Sequence, residues 1–264
     1  MSDRARLGNT PAAFGSLRPP LCFVSHGWAD GGHAFAERLS DGLRVHGIDP
    51  WLDEERLAPG AQLEQTLRHA VLHRCDVFLA LISPAWRVSR ACRSELLCAI
   101  DRRRREGLQL VPVLWRPVDR IPSEIDDLCY LRLETPNDGD AMARLVSAIH
   151  RAAMTFHLLR RLREGARGQR YIAAQMLAAT ANRFTVPFLI DSVASDTEPL
   201  THYWAAVALG TIGGEDACGA LHRALRRECD PFVRQGIEDA LTSGCSDESP
   251  IGDEDRDPAE PIGD

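Results

Sequence analysis

The sequence predicts an α/β domain built on a parallel sheet, followed by a small all-α domain of helical repeats. Up to about residue 156, short apolar runs alternate with segments of helical periodicity, which is typical of a parallel sheet covered on both faces. Beyond that point, blocks recur every 32 residues and place Leu177, Leu209 and Leu241 in one phase. These two patterns divide the chain into two domains.

Five short apolar segments of the first domain are predicted as strands. They span residues 21–25, 48–52, 76–82, 110–114 and 128–133. The third of them, DVFLALI, is nearly all apolar, as expected of a strand buried on both faces. Pro112 has no backbone N–H to donate, so the fourth strand is expected near an edge of the sheet or near a strand end.

Helices are predicted between the strands wherever apolar residues recur at three- and four-residue spacing. The predicted helices span residues 34–45, 63–72, 89–105 and 142–154. Phe35, Leu39 and Leu43 are an example of this spacing. Residues 1–19 are rich in Gly, Pro and Arg and are expected to form a flexible arm, which gives the first domain the limits 20–156.

The second domain, residues 157–244, resembles HEAT repeats of about thirty residues, each made of two antiparallel helices. The predicted helices span residues 172–180, 186–194, 204–212 and 217–227. Leu158 and Leu162 are interpreted as the second helix of a preceding half-unit. About two full units are few for a free-standing solenoid, so the array is expected to pack on the first domain or on another copy.

Charge and composition exclude several classes of function. The sequence has no lysine, so Schiff-base and P-loop lysine chemistry are excluded. Residues 245–264 hold eight carboxylates and one arginine, and their charge of −7 equals the net charge of the whole chain. This composition predicts a disordered acidic tail. The remainder is neutral, so no nucleic-acid partner is expected.

The eight cysteines contain no CxxC pair, and no Cys/His pair has the spacing of metal ligands. We therefore expect no metal, and buried free thiols in a reducing cytoplasm. No apolar run approaches 18 residues, and no charged-then-apolar leader occurs, so neither a membrane span nor a signal peptide is expected.

Five sequence blocks carry a family resemblance. FVSHGWAD, GIDPWLDEERLAPG, DVFLALISPAW, SRACRSEL and PVLWRPVD, in this order, are similar to the signature blocks of TIR domains over roughly residues 20–150. The resemblance implies a flavodoxin-like fold with a central five-stranded parallel sheet. It also implies one of two activities: assembly through TIR–TIR contacts, or cleavage of NAD+ at the nicotinamide–ribose bond. Ligands of such sheets bind beyond the carboxyl ends of the strands.

Glu95 is the predicted catalytic residue. It borders an apolar helical stripe that includes Cys92 and Leu96, so its carboxylate can be held rigidly beside a cleft. Such a carboxylate can stabilise an oxocarbenium-like ribose, and the resemblance implies this role for the glutamate of SxxCxxEL. The alternative is a solvated helix glutamate paired with Arg102 or Arg103.

The other predicted substrate-binding residues follow the strands or adjoin Glu95. They are Ser25, His26, Trp28, Trp51, Asp53, Arg56, Ser83 and Cys92. Trp51 has an alternative interpretation as the last core residue of its strand. The neighbouring serine and histidine at 25–26 do not predict a hydrolase, because adjacent side chains seldom point at each other and no GxSxG is present. Position 91 is alanine where TIR domains often have an aromatic residue, which predicts a differently shaped pocket.

Two functions follow from these observations. The first is an NAD+ glycohydrolase that releases nicotinamide and ADP-ribose or a cyclic isomer, with NAD+ as substrate and no cofactor. The resemblance to TIR domains implies that its activity requires TIR–TIR self-association. The repeats would then bind a protein partner and regulate that assembly, as in bacterial antiviral defence or signalling. The second is a non-enzymatic TIR scaffold. A Rossmann dehydrogenase is disfavoured because GxGxxG is absent.

Overall fold

Five parallel strands form the sheet of the first unit of the chain. They are β1 (Leu21–His26), β2 (Asp49–Trp51), β3 (Val77–Ile82), β4 (Gln109–Leu114) and β5 (Leu131–Arg132). Their order across the sheet is β2-β1-β3-β4-β5, and every neighbouring pair is parallel. The computed structural model in which this sheet is seen describes residues 18–52 and 73–245. The predicted five-stranded parallel α/β fold is confirmed.

The helices of this unit lie close to the predicted positions, except for the end of the last helix and for one additional helix. They are α1 (Gly32–Val45), α2 (Pro84–Val88), α3 (Arg90–Glu106) and α4 (Gly139–Glu164). The short α2 was not predicted from the sequence. Ser83 accepts a hydrogen bond from the Trp86 N–H at 3.2 Å, and a proline is well suited to the first helical position. The predicted helix 63–72 lies outside the described residues.

Each face of the sheet has its own core, because side chains of a strand alternate between faces. Val24 and Leu79 point to the α1 and α4 side, where they meet Leu39 and Leu145. Phe23 and Phe78 point to the opposite side, where Trp86 and Leu96 cover them. All six residues of β3 are buried, as its apolar sequence predicted. Because β1 and β3 are neighbours, the segments that follow them meet at one edge of the sheet.

Pro112 occupies a position where the sheet does not need its missing N–H. β4 is next to the edge strand β5, and β5 pairs only with Val113 and Leu114. The expectation that Pro112 lies near an edge agrees with this arrangement. β5 itself has two residues rather than the six predicted.

The predicted end of the last helix at residue 154 is wrong. α4 continues to Glu164, because no glycine or proline interrupts residues 140–164. Leu158 and Leu162 therefore lie on the last turns of this helix and not on a helix of their own. The two compact units of the chain divide between Arg160 and Arg161, within its last turns. The predicted domain limits 20–156 and 157–244 remain predictions.

A first unit cut at residue 156 is expected to be less stable than one that ends at residue 164. The shorter fragment loses Leu159, which is fully buried and lies so close to Gly107 that a Cβ there would be 2.5 Å from its Cδ1. Burial of one leucine contributes about 2 kcal/mol, so the free energies of unfolding from urea titration of fragments 1–156 and 1–164 should differ by that amount, with the higher midpoint for 1–164. Equal midpoints would show that α4 beyond residue 156 does not stabilise the first unit.

The second unit consists of successive helices in the predicted phase. They are α5 (Arg167–Thr180), α6 (Val186–Ser195), α7 (Pro199–Ile212), α8 (Glu215–Leu225) and α9 (Pro231–Gly244). Leu177 and Leu209 are fully buried, as the 32-residue period predicts, whereas Leu241 is only partly buried. α7 contacts both α5 and α9. Among the helices that the structure describes, none is long and apolar enough to cross a membrane.

The expectation that all eight cysteines are free thiols is wrong for two of them. Cys218 and Cys245 form a disulfide, with Cα atoms 5.8 Å apart although 27 positions separate them in sequence. The fold brings them together because Cys218 lies on α8, which contacts α9, and Cys245 directly follows α9. Disulfides are rare in reducing compartments, so the cytoplasmic location stays a prediction.

Thiol titration of the unfolded protein is expected to find six thiols without reductant and eight after reduction. The disulfide constrains the unfolded chain, so its reduction should lower the stability of α8 and α9 by about 3 kcal/mol. Hydrogen exchange of these helices, with and without reductant, measures the loss. Cys229→Ser removes an exposed free thiol and serves as the control, with no expected effect. Eight thiols in the unreduced protein would contradict the disulfide.

Candidate functional site

Glu95, Ser25 and Trp86 form a hydrogen-bonded chain where α3 meets the carboxyl end of β1. The Ser25 hydroxyl donates to Glu95 Oε2 at 2.6 Å. The indole Nε1–H of Trp86 donates to Ser25 Oγ at 2.9 Å. Ser25 and Trp86 are 1% and 3% exposed, so both hydrogen bonds are shielded from water. Trp86 is a site residue that the sequence did not predict.

Two local features hold Glu95 in this place. Ser89 begins α3 as its N-cap and accepts a hydrogen bond from the Cys92 N–H at 3.3 Å. The Cys92 thiol donates to the backbone carbonyl of His26 at 3.2 Å, which ties the first turn of α3 to the end of β1. Glu95 follows Cys92 by three residues, so it faces the same strand. Cys92 therefore contacts β1 rather than open solvent, since it is 3% exposed.

Arg102, one of the two alternative partners predicted for Glu95, is buried deeper along α3. Its Nε donates to Glu106 at 2.7 Å, and its Nη1 donates to the Cys75 carbonyl at 2.7 Å. Its guanidinium carbon also lies 5.1 Å from the ring centre of Phe156. These contacts give Arg102 a structural role in the core under α3.

His26, His33 and Trp28 form an aromatic cluster beside this chain. His26 Nδ1 lies 3.3 Å from the Val24 carbonyl, which only accepts, so Nδ1 carries the proton. Nε2 of the neutral ring therefore accepts from His33 Nδ1, 3.0 Å away. Trp28 is 52% exposed and stacks on His33 with ring centres 4.5 Å apart. The Trp28–His33 stack is a solvent-accessible aromatic surface at the end of β1, whereas His26 is buried.

The loop after β1 is docked on the beginning of α2. A Cβ at Gly27 would lie 2.6 Å from the backbone nitrogen of Trp86, so only glycine allows this approach. Asp30 Oδ2 accepts a hydrogen bond from the Ala85 N–H at 3.0 Å. Asp30 has φ of 59°, a left-handed conformation that aspartate tolerates better than most residues. The loop that carries Trp28 is thus fixed relative to Trp86.

The remaining predicted substrate contacts lie in other surroundings. Trp51 is 4% exposed and stacks on Phe23 at 4.9 Å, so the structure places it in the core, as its alternative interpretation had it. Ser83 is fully buried and serves as the N-cap of α2. Asp53 and Arg56 lie outside the described residues. Among those described, no group of three or more His, Cys, Asp or Glu side chains is arranged to hold a metal ion.

Two buried thiols at the opposite end of the sheet are unsuited to nucleophilic chemistry. Burial raises the pKa of Cys75 to about 12, with the nearby Arg102 acting in the opposite direction. Burial likewise raises the pKa of Cys22 well above its usual range. Since the thiolate is the reactive form, neither thiol is an activated nucleophile at neutral pH.

Comparison with known families identifies the class of both units. Residues 22–146 match the TIR domain family, and residues 157–242 match HEAT repeats. The chain is therefore a TIR-domain protein in which HEAT repeats follow the TIR domain, as the sequence predicted.

A plant protein is among its relatives. "Probable 2' cyclic ADP-D-ribose synthase BdTIR" of Brachypodium distachyon is 28% identical to this chain over 103 residues. The similar segment makes up 39% of this chain and 42% of the relative, so the chain matches less than half of the relative's length.

Proposed function

We propose that this protein cleaves NAD+ at the bond between nicotinamide and ribose, with Glu95 as the essential carboxylate. The observation that carries the proposal is the 2.6 Å hydrogen bond that fixes Glu95 Oε2 to Ser25 at the carboxyl end of β1. Ligands of parallel α/β sheets bind at this edge. The similarity to a plant protein named as a cyclic ADP-ribose synthase supports the same substrate.

The chemistry requires a fixed negative charge beside the ribose. When the C1′–N bond breaks, its electron pair leaves with nicotinamide and the ribose becomes oxocarbenium-like. A preorganised carboxylate stabilises that positive charge without reorganising during the reaction. Water then adds at C1′ and loses a proton, which gives ADP-ribose; attack by a hydroxyl of the same ligand gives a cyclic isomer. The exposed Trp28–His33 stack offers a flat surface for an aromatic ring of NAD+.

The assembly and biological setting follow as further parts of the proposal. TIR–TIR self-association brings the loops at the carboxyl edge of neighbouring sheets together and activates the site. The HEAT repeats bind a protein partner and control that association, since helical repeats usually serve as binding surfaces. A role in bacterial antiviral defence, and a cytoplasmic location, would match an enzyme that consumes NAD+.

A non-enzymatic TIR scaffold is the second candidate. It is favoured by Ala91, an exposed residue of α3 at a position where TIR domains often carry an aromatic side chain. Incubation of concentrated protein with NAD+, followed by chromatography for nicotinamide, distinguishes the enzyme from the scaffold. Nicotinamide release supports the enzyme. Its absence, together with concentration-dependent sedimentation, supports the scaffold and overturns the proposed enzymatic function.

A further inference from the structure

The hydrogen-bond chain from Trp86 to Glu95 has one permitted direction. An indole N–H only donates, and an ionised carboxylate only accepts. Ser25 Oγ therefore accepts from Trp86, and its single O–H proton is directed to Glu95 Oε2. Without the indole donor, the hydroxyl would be free to rotate away and accept elsewhere. The indole N–H is thus the feature that orients the serine proton toward Glu95.

Trp86 is itself held at its backbone and at its side chain. Its backbone N–H donates to Ser83 Oγ at 3.2 Å, where Ser83 caps the N-terminus of α2. The preceding residue, Ala85, donates to Asp30, and Gly27 packs directly against the Trp86 nitrogen. The indole is 3% exposed and belongs to the core under α3. A side chain fixed in this way can define the position of Ser25 and, through it, of Glu95.

We propose that Trp86 is a positioning residue for Glu95, acting through Ser25. The inference rests on the proposed NAD+ cleavage, in which Glu95 faces the developing positive charge. Trp86 does not need to touch the substrate. Through Ser25 it fixes Glu95 Oε2, and with it the orientation in which the carboxylate faces the ribose.

Trp115 provides a matched control. It follows β4 on the opposite face of the sheet, where its ring lies 4.6 Å from that of Phe35. It is 7% exposed, close to the exposure of Trp86. Its indole Nε1 is buried but has no hydrogen-bond partner within residues 18–52 and 73–245. Replacement of either tryptophan by phenylalanine removes similar volume, but only Trp86→Phe removes a hydrogen bond.

Steady-state kinetics of nicotinamide release test the role in catalysis. We expect Trp86→Phe to lower kcat about tenfold and to change KM less than about twofold, because positioning matters most in the transition state. Trp115→Phe should leave both values within about twofold of wild type, although it also removes buried aromatic volume. Trp86→Phe with wild-type kcat, or equal losses in both variants, overturns the proposal.

A double mutant separates positioning from general damage to the fold. If Trp86 acts only through Ser25, then adding Trp86→Phe to Ser25→Ala should lower kcat no further. Two independent structural losses would instead multiply. A double mutant about tenfold slower than Ser25→Ala would therefore contradict the proposal that Trp86 acts through Ser25.

A spectroscopic readout tests the hydrogen-bond chain without activity. Protein with ¹⁵N-labelled tryptophan has five indole N–H resonances, each assigned by its loss in a Trp→Phe variant. Ser25→Ala and Glu95→Gln should both shift the Trp86 resonance and leave that of Trp115 unchanged. If wild-type protein releases no nicotinamide, the proposed function fails. If the Trp86 resonance does not move in Glu95→Gln, the proposed positioning of Glu95 by Trp86 through Ser25 fails as well.

Discussion

Glu95→Gln is expected to lower the rate of nicotinamide release from NAD+ at least about 100-fold and to leave the fold intact. The amide has nearly the same shape as the carboxylate and can still accept from Ser25, but it carries no negative charge to stabilise the ribose cation. Glu95 is only partly buried, so the change leaves no cavity in the core. Nicotinamide release measured at equal protein concentration, with circular dichroism for the fold, gives both results.

Asp101→Asn is the control for this change. Asp101 lies on the same helix, α3, and forms an exposed ion pair with Arg105. The same carboxylate-to-amide replacement there should leave the rate within about twofold of wild type, because exposed ion pairs contribute little. Equal rates for Glu95→Gln and wild type would remove Glu95 from the site, and unfolding of the variant would make its role structural.

Gly210→Ala is expected to destabilise the repeat unit by about 2 kcal/mol, although alanine favours helices over glycine. A Cβ at Gly210, on α7, would lie 2.7 Å from the Ala240 carbonyl oxygen and 2.9 Å from its Cα, both backbone atoms of α9. Backbone atoms of a packed helix cannot move aside as a flexible side chain can. The two helices must therefore separate, and hydrogen exchange in α7 and α9 should accelerate about thirtyfold.

Gly219→Ala, on α8, is the matched control with the opposite sign. A Cβ there would meet only the end of the Arg223 side chain at 3.4 Å, which can move. Alanine should then stabilise α8 by up to about 1 kcal/mol through its helix propensity. Peptides from β3 serve as an internal reference in both exchange experiments. Unchanged exchange in Gly210→Ala would mean that the close approach of α7 and α9 is absent in solution.

The elements of the fold were predictable where local pattern alone decides them. The all-apolar run at β3 predicted a strand buried on both faces, and the spacing of Phe35, Leu39 and Leu43 predicted α1. The 32-residue period assigned Leu177 and Leu209 to the same core position of successive repeats, and both are fully buried. These features can be predicted from the sequence because the apolar residues of a buried face recur with the period of the helix or strand.

The candidate site was predictable only in part. The motif around Glu95 indicated the catalytic carboxylate, and the alternation of strands and helices placed Ser25 at the carboxyl edge of the sheet, where ligands are expected to bind. Trp86 was missed because a tryptophan that follows a strand is ordinarily interpreted as a core residue, and nothing in the local sequence indicates the partner of its indole N–H. Trp51 shows the converse: its place beside a polar loop suggested a ligand contact, but Phe23 on the neighbouring strand buries it.

By itself, the sequence determined the two classes of domain, the order of the main strands and helices and the catalytic candidate, because each depends on residues close together in the chain. Only the tertiary structure decided the Trp86–Ser25–Glu95 chain, the Cys218–Cys245 disulfide and the close crossing at Gly210. Each of these joins residues 27 to 70 positions apart. Their contacts form because β1 pairs with β3 and because α9 packs on both α7 and α8, and such long-range pairing leaves no periodic trace in the sequence.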